Sequence, residues 1–130
     1  MAAYTKTART LVAAGTSNAS AATTRGTLQL ATALGGVLTY KITNGGTGPT
    51  IACEARVLIA HNASLPAAGS AGADWKTVPI TVNNGTTAST VGEWFWEIPP
   101  GVMNIEVEFT GNTVQAVTVE AFVSEATSFA

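Results

Sequence analysis

Few residues in this chain could do chemistry. The 130 residues include one His, one Cys and one Asp, beside seven Glu. Acyl transfer needs a nucleophile, a base and a group that orients the base. His61 and Asp74 bracket one stretch and could approach each other, but no G-x-S-x-G elbow accompanies them. His61 therefore reads as an ordinary loop residue. Cys53 alternates with buried-looking residues and reads as a small core residue. Standing alone, it can form neither an internal disulfide nor a Cys-rich zinc site. Glu106 and Glu108, with Glu93, Glu97 and Glu120, are the one carboxylate group. Paired carboxylates hydrolyse glycosides when held ~5 to 9.5 Å apart. Residues i and i+2 of any strand have roughly that spacing, so the group reads as a solvated acidic face. Calcium would prefer Asp-rich loop ligands, which are missing. Gly45-Gly46-Thr47-Gly48 lacks both the Gly-Lys-Ser/Thr and the following helix of a phosphate loop. The expectation is a non-enzyme with no catalytic residue, cofactor or metal.

Contact chemistry is better represented. Alternation places Phe95 on the face opposite Trp94 and Trp96. The two tryptophans then fill the core, and Phe95 touches a neighbour or a second sheet. Charge is unevenly spread: residues 1–41 carry Lys6, Arg9, Arg25 and Lys41 and no acid, while residues 77–130 carry six glutamates and no base. Either these charges meet across strands within a sheet, or the basic N-terminal part docks on an acidic face of another subunit. Lys6, Arg9, Phe95, Glu106 and Glu108 are thus the candidate interface residues. The six bases are scattered and the aromatics lie among glutamates, so no nucleic-acid surface is expected. Three Asn-x-Ser/Thr matches, at Asn18, Asn62 and Asn84, read as chance in a chain so rich in these residues.

The elements that must position these side chains are strands. Ala and Thr dominate with 23 and 21 copies, and only 14 residues are charged, against roughly a quarter in ordinary domains. Thr fits a pleated surface. Period-two alternation recurs after residue 24, and no helical stripe of useful length appears. Residues 37–43 align Leu38, Tyr40 and Ile42; residues 51–60 align Cys53, Ala55, Val57 and Ile59. Residues 102–109 align Met103, Ile105, Val107 and Phe109, with Asn104, Glu106 and Glu108 outward, and Val117 and Val119 share a face further on. Pro79 marks an edge or bulged strand, and Asn83-Asn84-Gly85 carries a hairpin signal. Residues 86–91 suggest one more short strand. The expected core is Leu38, Tyr40, Ile42, Val57, Ile59, Trp94, Trp96, Ile105, Val107, Phe109, Val117 and Val119.

This pattern predicts an all-β fold: an antiparallel two-sheet sandwich, jelly-roll-like, with eight or nine strands. Residues 1–24 read as an extended arm and linker, in which 4–14 pair with a strand of the body or of a neighbouring subunit and 15–24 form a polar connection. Residues 25–130 read as the sandwich domain, with a long loop of small residues at 61–74. No stretch approaches the ~20 apolar residues of a membrane span, and the apolar run at 11–14 is too short for a signal-peptide core.

In style the chain resembles small β-sandwich proteins of bacteriophage virions, most of all head decoration or cement proteins. The resemblance rests on the arm MAAYTKTARTLVAAGTSNASAATT, on short strands joined by Gly/Asn turns, and on EWFWEIPPGVMNIEVEFTGN. It implies a structural protein of the virion that binds the major capsid protein and copies of itself, without catalysis, nucleic acid or membrane. The rival expectation is a receptor- or carbohydrate-binding sandwich of a tail fibre or cell surface.

Overall fold

The computed structural model describes residues 4–69 and 74–129. Among them are eight strands: β1 (Tyr4–Asn18), β2 (Thr23–Gln29), β3 (Gly36–Asn44), β4 (Glu54–Ala60), β5 (Lys76–Asn83), β6 (Val91–Ile98), β7 (Asn104–Thr110) and β8 (Val117–Phe129). They form two four-stranded antiparallel sheets, ordered β1-β8-β3-β6 and β2-β7-β4-β5. The expected sandwich is present, and its strand order is that of a jelly roll.

Alternation builds the core between the sheets. Leu38, Tyr40 and Ile42 of β3 and Val117, Val119, Ala121 and Val123 of β8 face inward from the first sheet. Ala55, Val57, Ile105, Val107 and Phe109 answer them from the second. Three expected core members differ: Ile59, Trp94 and Trp96 are half-buried and packed against the cluster. For the tryptophans the reason is topological, since β6 is an edge strand with a neighbour on one side only. Trp75, absent from the expected list, is buried with Leu58 and Ala60 in a satellite cluster. Pro79 lies on β5, which is an edge strand, where a missing N–H removes no ladder bond.

Three sequence expectations change. Residues 15–18, expected as connection, continue β1, and the turn comes at 19–22 with Ala21 at φ 59°. Asn83-Asn84-Gly85 joins strands of different sheets, so the hairpin signal marks a crossover between layers. Residues 86–90 are turn rather than strand. They are held by buried asparagines: the Asn84 amide donates to the Thr90 carbonyl (2.7 Å), and that of Asn44 to the carbonyls of Gly85 and Thr87 (3.2 and 2.8 Å).

The N-terminal segment pairs with β8 of the same chain over its whole length, from Tyr4↔Phe129 to Asn18↔Val117, with irregularities between Thr5 and Thr16. Near one of these, Leu11 crosses the backbone of β2. A Cβ at Gly26 would lie 2.5 Å from the Leu11 carbonyl oxygen, so only glycine admits this approach between the two sheets. Gly26→Ala should therefore destabilise the protein by about 1–3 kcal/mol, whereas Gly46→Ala, with nothing within 4 Å, should lie within about 0.5 kcal/mol of the parent. Phe109→Ala in the fully buried core should cost about 3–5 kcal/mol. Deleting residues 1–14 should unfold the protein, because β8 would lose most of its partner strand. Urea denaturation checks all four, and a folded, equally stable truncation would show that β1 is dispensable.

Candidate functional site on the open face of the first sheet

The two outward faces of the sandwich differ in kind. On the second sheet, β7 presents Asn104, Glu106 and Glu108 outward, but this face is roofed. The loop after β4 crosses it, held by Asn104 Nδ2 to the carbonyls of Ala60 and Asn62 (3.3 and 2.7 Å). Gln29 Nε2 donates to the Ala63 carbonyl (3.0 Å), and the Gly69 amide donates to Glu106 Oε1 (2.8 Å). Trp75 Nε1 donates to the Ala67 carbonyl (3.0 Å) and tucks its ring against Leu58 and Ala60. Glu106 is fully buried and Glu108 nearly so. Glu108 meets Arg25 Nε at 3.2 Å and Arg56 Nη1 at 3.9 Å. These two glutamates are not part of a solvated face, as alternation alone had suggested.

On the first sheet the outward face is open. Register sets its rows. Phe95 lies opposite Thr39, which lies opposite Phe122. Glu93, Lys41 and Glu120 form the next row, and Glu97, Val37 and Ser124 the row on the other side. Phe95 is 70% exposed, although it is a large apolar side chain on a regular strand. An open depression of about 380 Å³ is lined by Thr39, Lys41, Glu93, Phe95 and Glu120 together with Tyr40 and Trp94. Lys41 Nζ stands 3.4 Å from Glu120 Oε1. Below, on the inner side, the rings of Tyr40 and Trp94 pack with centroids 5.8 Å apart, tilted by 31°, which gives the platform a firm base. Burial raises the Tyr40 phenol above its ordinary pKa, so it is a neutral packing group.

The candidate interface residues are thus separated. Lys6 is exposed on β1, opposite Ala126. Arg9 Nη1 pairs with Glu125 Oε1 at 3.1 Å, Phe95 sits on the far edge strand, and Glu106 and Glu108 lie on the other sheet. The charge asymmetry resolves within the molecule: Arg9–Glu125, Arg25–Glu108 and Lys41–Glu120 each join an early base to a late acid. Thr39, Lys41 and Phe122 were missed as neighbours of Phe95, because only the register of β3 with β6 and β8 brings them together.

Asp74 Oδ1 accepts from Asn62 Nδ2 at 2.9 Å. Cys53 is buried, and burial pushes its thiol up to about 11, so it is a thiol rather than a nucleophilic thiolate at neutral pH. No group of three or more His, Cys, Asp and Glu among the described residues is arranged to hold a metal. Cys53→Ser should accordingly leave thiol-independent binding untouched, and the parent should react with iodoacetamide at neutral pH only after denaturation, as mass spectrometry of the alkylated protein would register.

The sequence matches no family model and no curated protein. Solved structures do resemble the fold. The K3 cleaved adhesin domain of Lys-gingipain from Porphyromonas gingivalis matches at a TM-score of 0.53 and 17% identity, over 83% of this chain and 71% of that one. The VP2 subviral particle of infectious bursal disease virus matches at 0.50 and 13%, over 95% of this chain and 33% of that one. A family 29 carbohydrate-binding module from Piromyces equi matches at 0.48 and 10%, over 95% and 91%. None of these three is a phage head-decoration protein. At such identities the likeness is one of architecture: this chain is a small antiparallel β-sandwich with the strand order of a jelly roll.

Proposed function

We propose that this protein is a non-catalytic binding module that takes carbohydrate on the open face of the first sheet. One observation carries the reading: Phe95 stands 70% exposed midway along the edge strand β6, with Glu93 and Glu97 beside it and Thr39 and Lys41 across on β3. An exposed aromatic ring offers an apolar plane that matches the C–H face of a pyranose. Carboxylates, an ammonium and a hydroxyl around its rim can donate to and accept from sugar hydroxyls. The depression is open rather than enclosed, which suits a chain or branch of sugars better than one enclosed ligand. The expected charge-assisted bonds run from sugar hydroxyls to Glu93 and Glu97, and from Lys41 to a sugar oxygen.

A second reading keeps the virion role. The jelly-roll order and the sparse surface charge favour a module that packs against other protein. Its partners would be a major capsid protein and further copies of itself, its place the virion, and Phe95 an anchor in the contact. The two readings differ in what Phe95 touches.

A glycan array followed by titration of the best ligand should give saturable binding. Phe95→Ala should weaken it at least about tenfold, near 1.4 kcal/mol, while stability stays within about 0.5 kcal/mol because the ring is exposed. Absence of any glycan binding, or an unchanged affinity in the Phe95→Ala protein, would remove the carbohydrate reading. Co-sedimentation with purified capsids that is lost in the same variant would establish the second.

A further inference from the structure

Beneath the roofing loop lies a buried carboxyl group that no ion pair accounts for. Glu106 sits midway along β7, its carboxyl fully buried. Oε1 accepts from the Gly69 amide at 2.8 Å, but Oε2 has no hydrogen-bond partner. Two residues away on the same face, Asn104 is equally buried. Its amide nitrogen is committed to the carbonyls of Ala60 and Asn62 (3.3 and 2.7 Å), which fixes the amide's orientation and leaves Oδ1 without a donor. Two buried acceptors without a donor therefore lie two residues apart on one face of β7, under one loop. Each unsatisfied acceptor is expensive away from water.

We propose that Glu106 and Asn104 share one proton, which latches the loop at residues 61–69 over the second sheet and releases it as the pH rises. A protonated Oε2–H donates to Asn104 Oδ1 while Oε1 still accepts from Gly69, so a single proton satisfies both orphan oxygens. Loss of that proton leaves an ionised carboxylate oxygen and an amide oxygen, both buried and both without a donor. Lifting the loop admits water to both.

The surrounding charges permit this. On the elements packed around Glu106 they are Arg25 on β2, Glu108 on β7, Glu54 and Arg56 on β4 and Lys76 on β5, with His61 and Asp74 on the loop. Arg25 is engaged by Glu108 at 3.2 Å and packs against Gly69; Arg56 is engaged by Glu54 at 3.0 Å. Burial raises the Glu106 pKa, a rise that the Gly69 bond and Arg25 oppose and Glu108 reinforces. A native pKa above the unfolded value stabilises the closed form below the ordinary glutamate pKa of about 4.3. That stabilisation is lost as the pH rises through the native value. Opening would expose Leu58, Ala60 and Trp75, because the loop is tied to the Trp75 indole through the Ala67 carbonyl. The second sheet would thus gain an apolar surface under pH control.

The test uses the whole protein, isotope-labelled, with the Glu106 carboxyl carbon shift and the Gly69 amide exchange protection followed from about pH 4 to pH 9. The Glu106 carboxyl should titrate above the other glutamates. Gly69 protection, corrected for intrinsic rate, should fall about tenfold for each pH unit above that midpoint. Glu106→Gln keeps the Gly69 bond and donates permanently to Asn104, so its Gly69 protection should stay flat across the range. A Glu106 carboxyl titrating with the exposed glutamates overturns the proposal whether or not the variant folds. So does Gly69 protection that falls equally in the Glu106→Gln protein. Protection restored at high pH by excess calcium chloride, in the parent only, would mean that a cation and not a proton fills the gap, and would overturn it as well.

Discussion

Nested pairing governs this molecule. β4 pairs with β5, β3 with β6, β2 with β7 and β1 with β8, so each partnership encloses the one before it. The innermost pair is local in sequence; the outermost spans nearly the whole chain. β8 lies between β1 and β3, so the first sheet is complete only when the last strand is in place. Most contacts are therefore distant in sequence, a topology associated with slow folding. The same nesting puts β6 on an open edge, where Phe95 is displayed, and β7 between two neighbours, where Glu106 is trapped.

Closing such a sandwich leaves backbone carbonyls at the sheet ends that no ladder reaches. Buried asparagines meet them. Asn18 and Asn112 bond each other through their side chains at 2.6 Å, and Asn112 Nδ2 also donates to the carbonyls of Asn18 and Gln115 (3.1 and 2.9 Å). An amide does this without the desolvation cost of a charge, which fits a chain with so few ionised residues. The tight wrap at this end forces Val114 to φ 72°, a left-handed conformation rare for a β-branched residue. The amide of Val114 is held there by Ser20 Oγ at 2.8 Å.

How much of this was legible in the sequence follows from what alternation encodes. Period two assigns a side chain to one face or the other, and for β3, β7 and β8 it sorted the inward residues correctly. It also placed Phe95 opposite the tryptophans. It says nothing about what covers an outward face. Glu106 and Glu108 alternate outward as expected, yet a loop of small residues with no periodicity of its own lies over them. Trp75 is buried by that same loop, so its burial was equally hidden. The crossover at Asn83-Asn84-Gly85 has the local chemistry of a hairpin, because a turn specifies a reversal and not which sheet receives the next strand. The rows around Phe95 needed the register between β3, β6 and β8, which is a property of paired strands and not of any one of them.

The pairing of Tyr4 with Phe129 brings the two ends of the described chain to one corner of the first sheet, on the β1 edge. Phe95 is on the opposite edge, three strand spacings away, or roughly 14 Å across the sheet. Along the strands it is level with Thr10, in the row that runs through Thr39 and Phe122, six residues or about 20 Å from Tyr4. A support attached at either end would thus hold the domain by one corner of the β1 edge and leave the middle of the opposite edge, where Phe95 stands, clear.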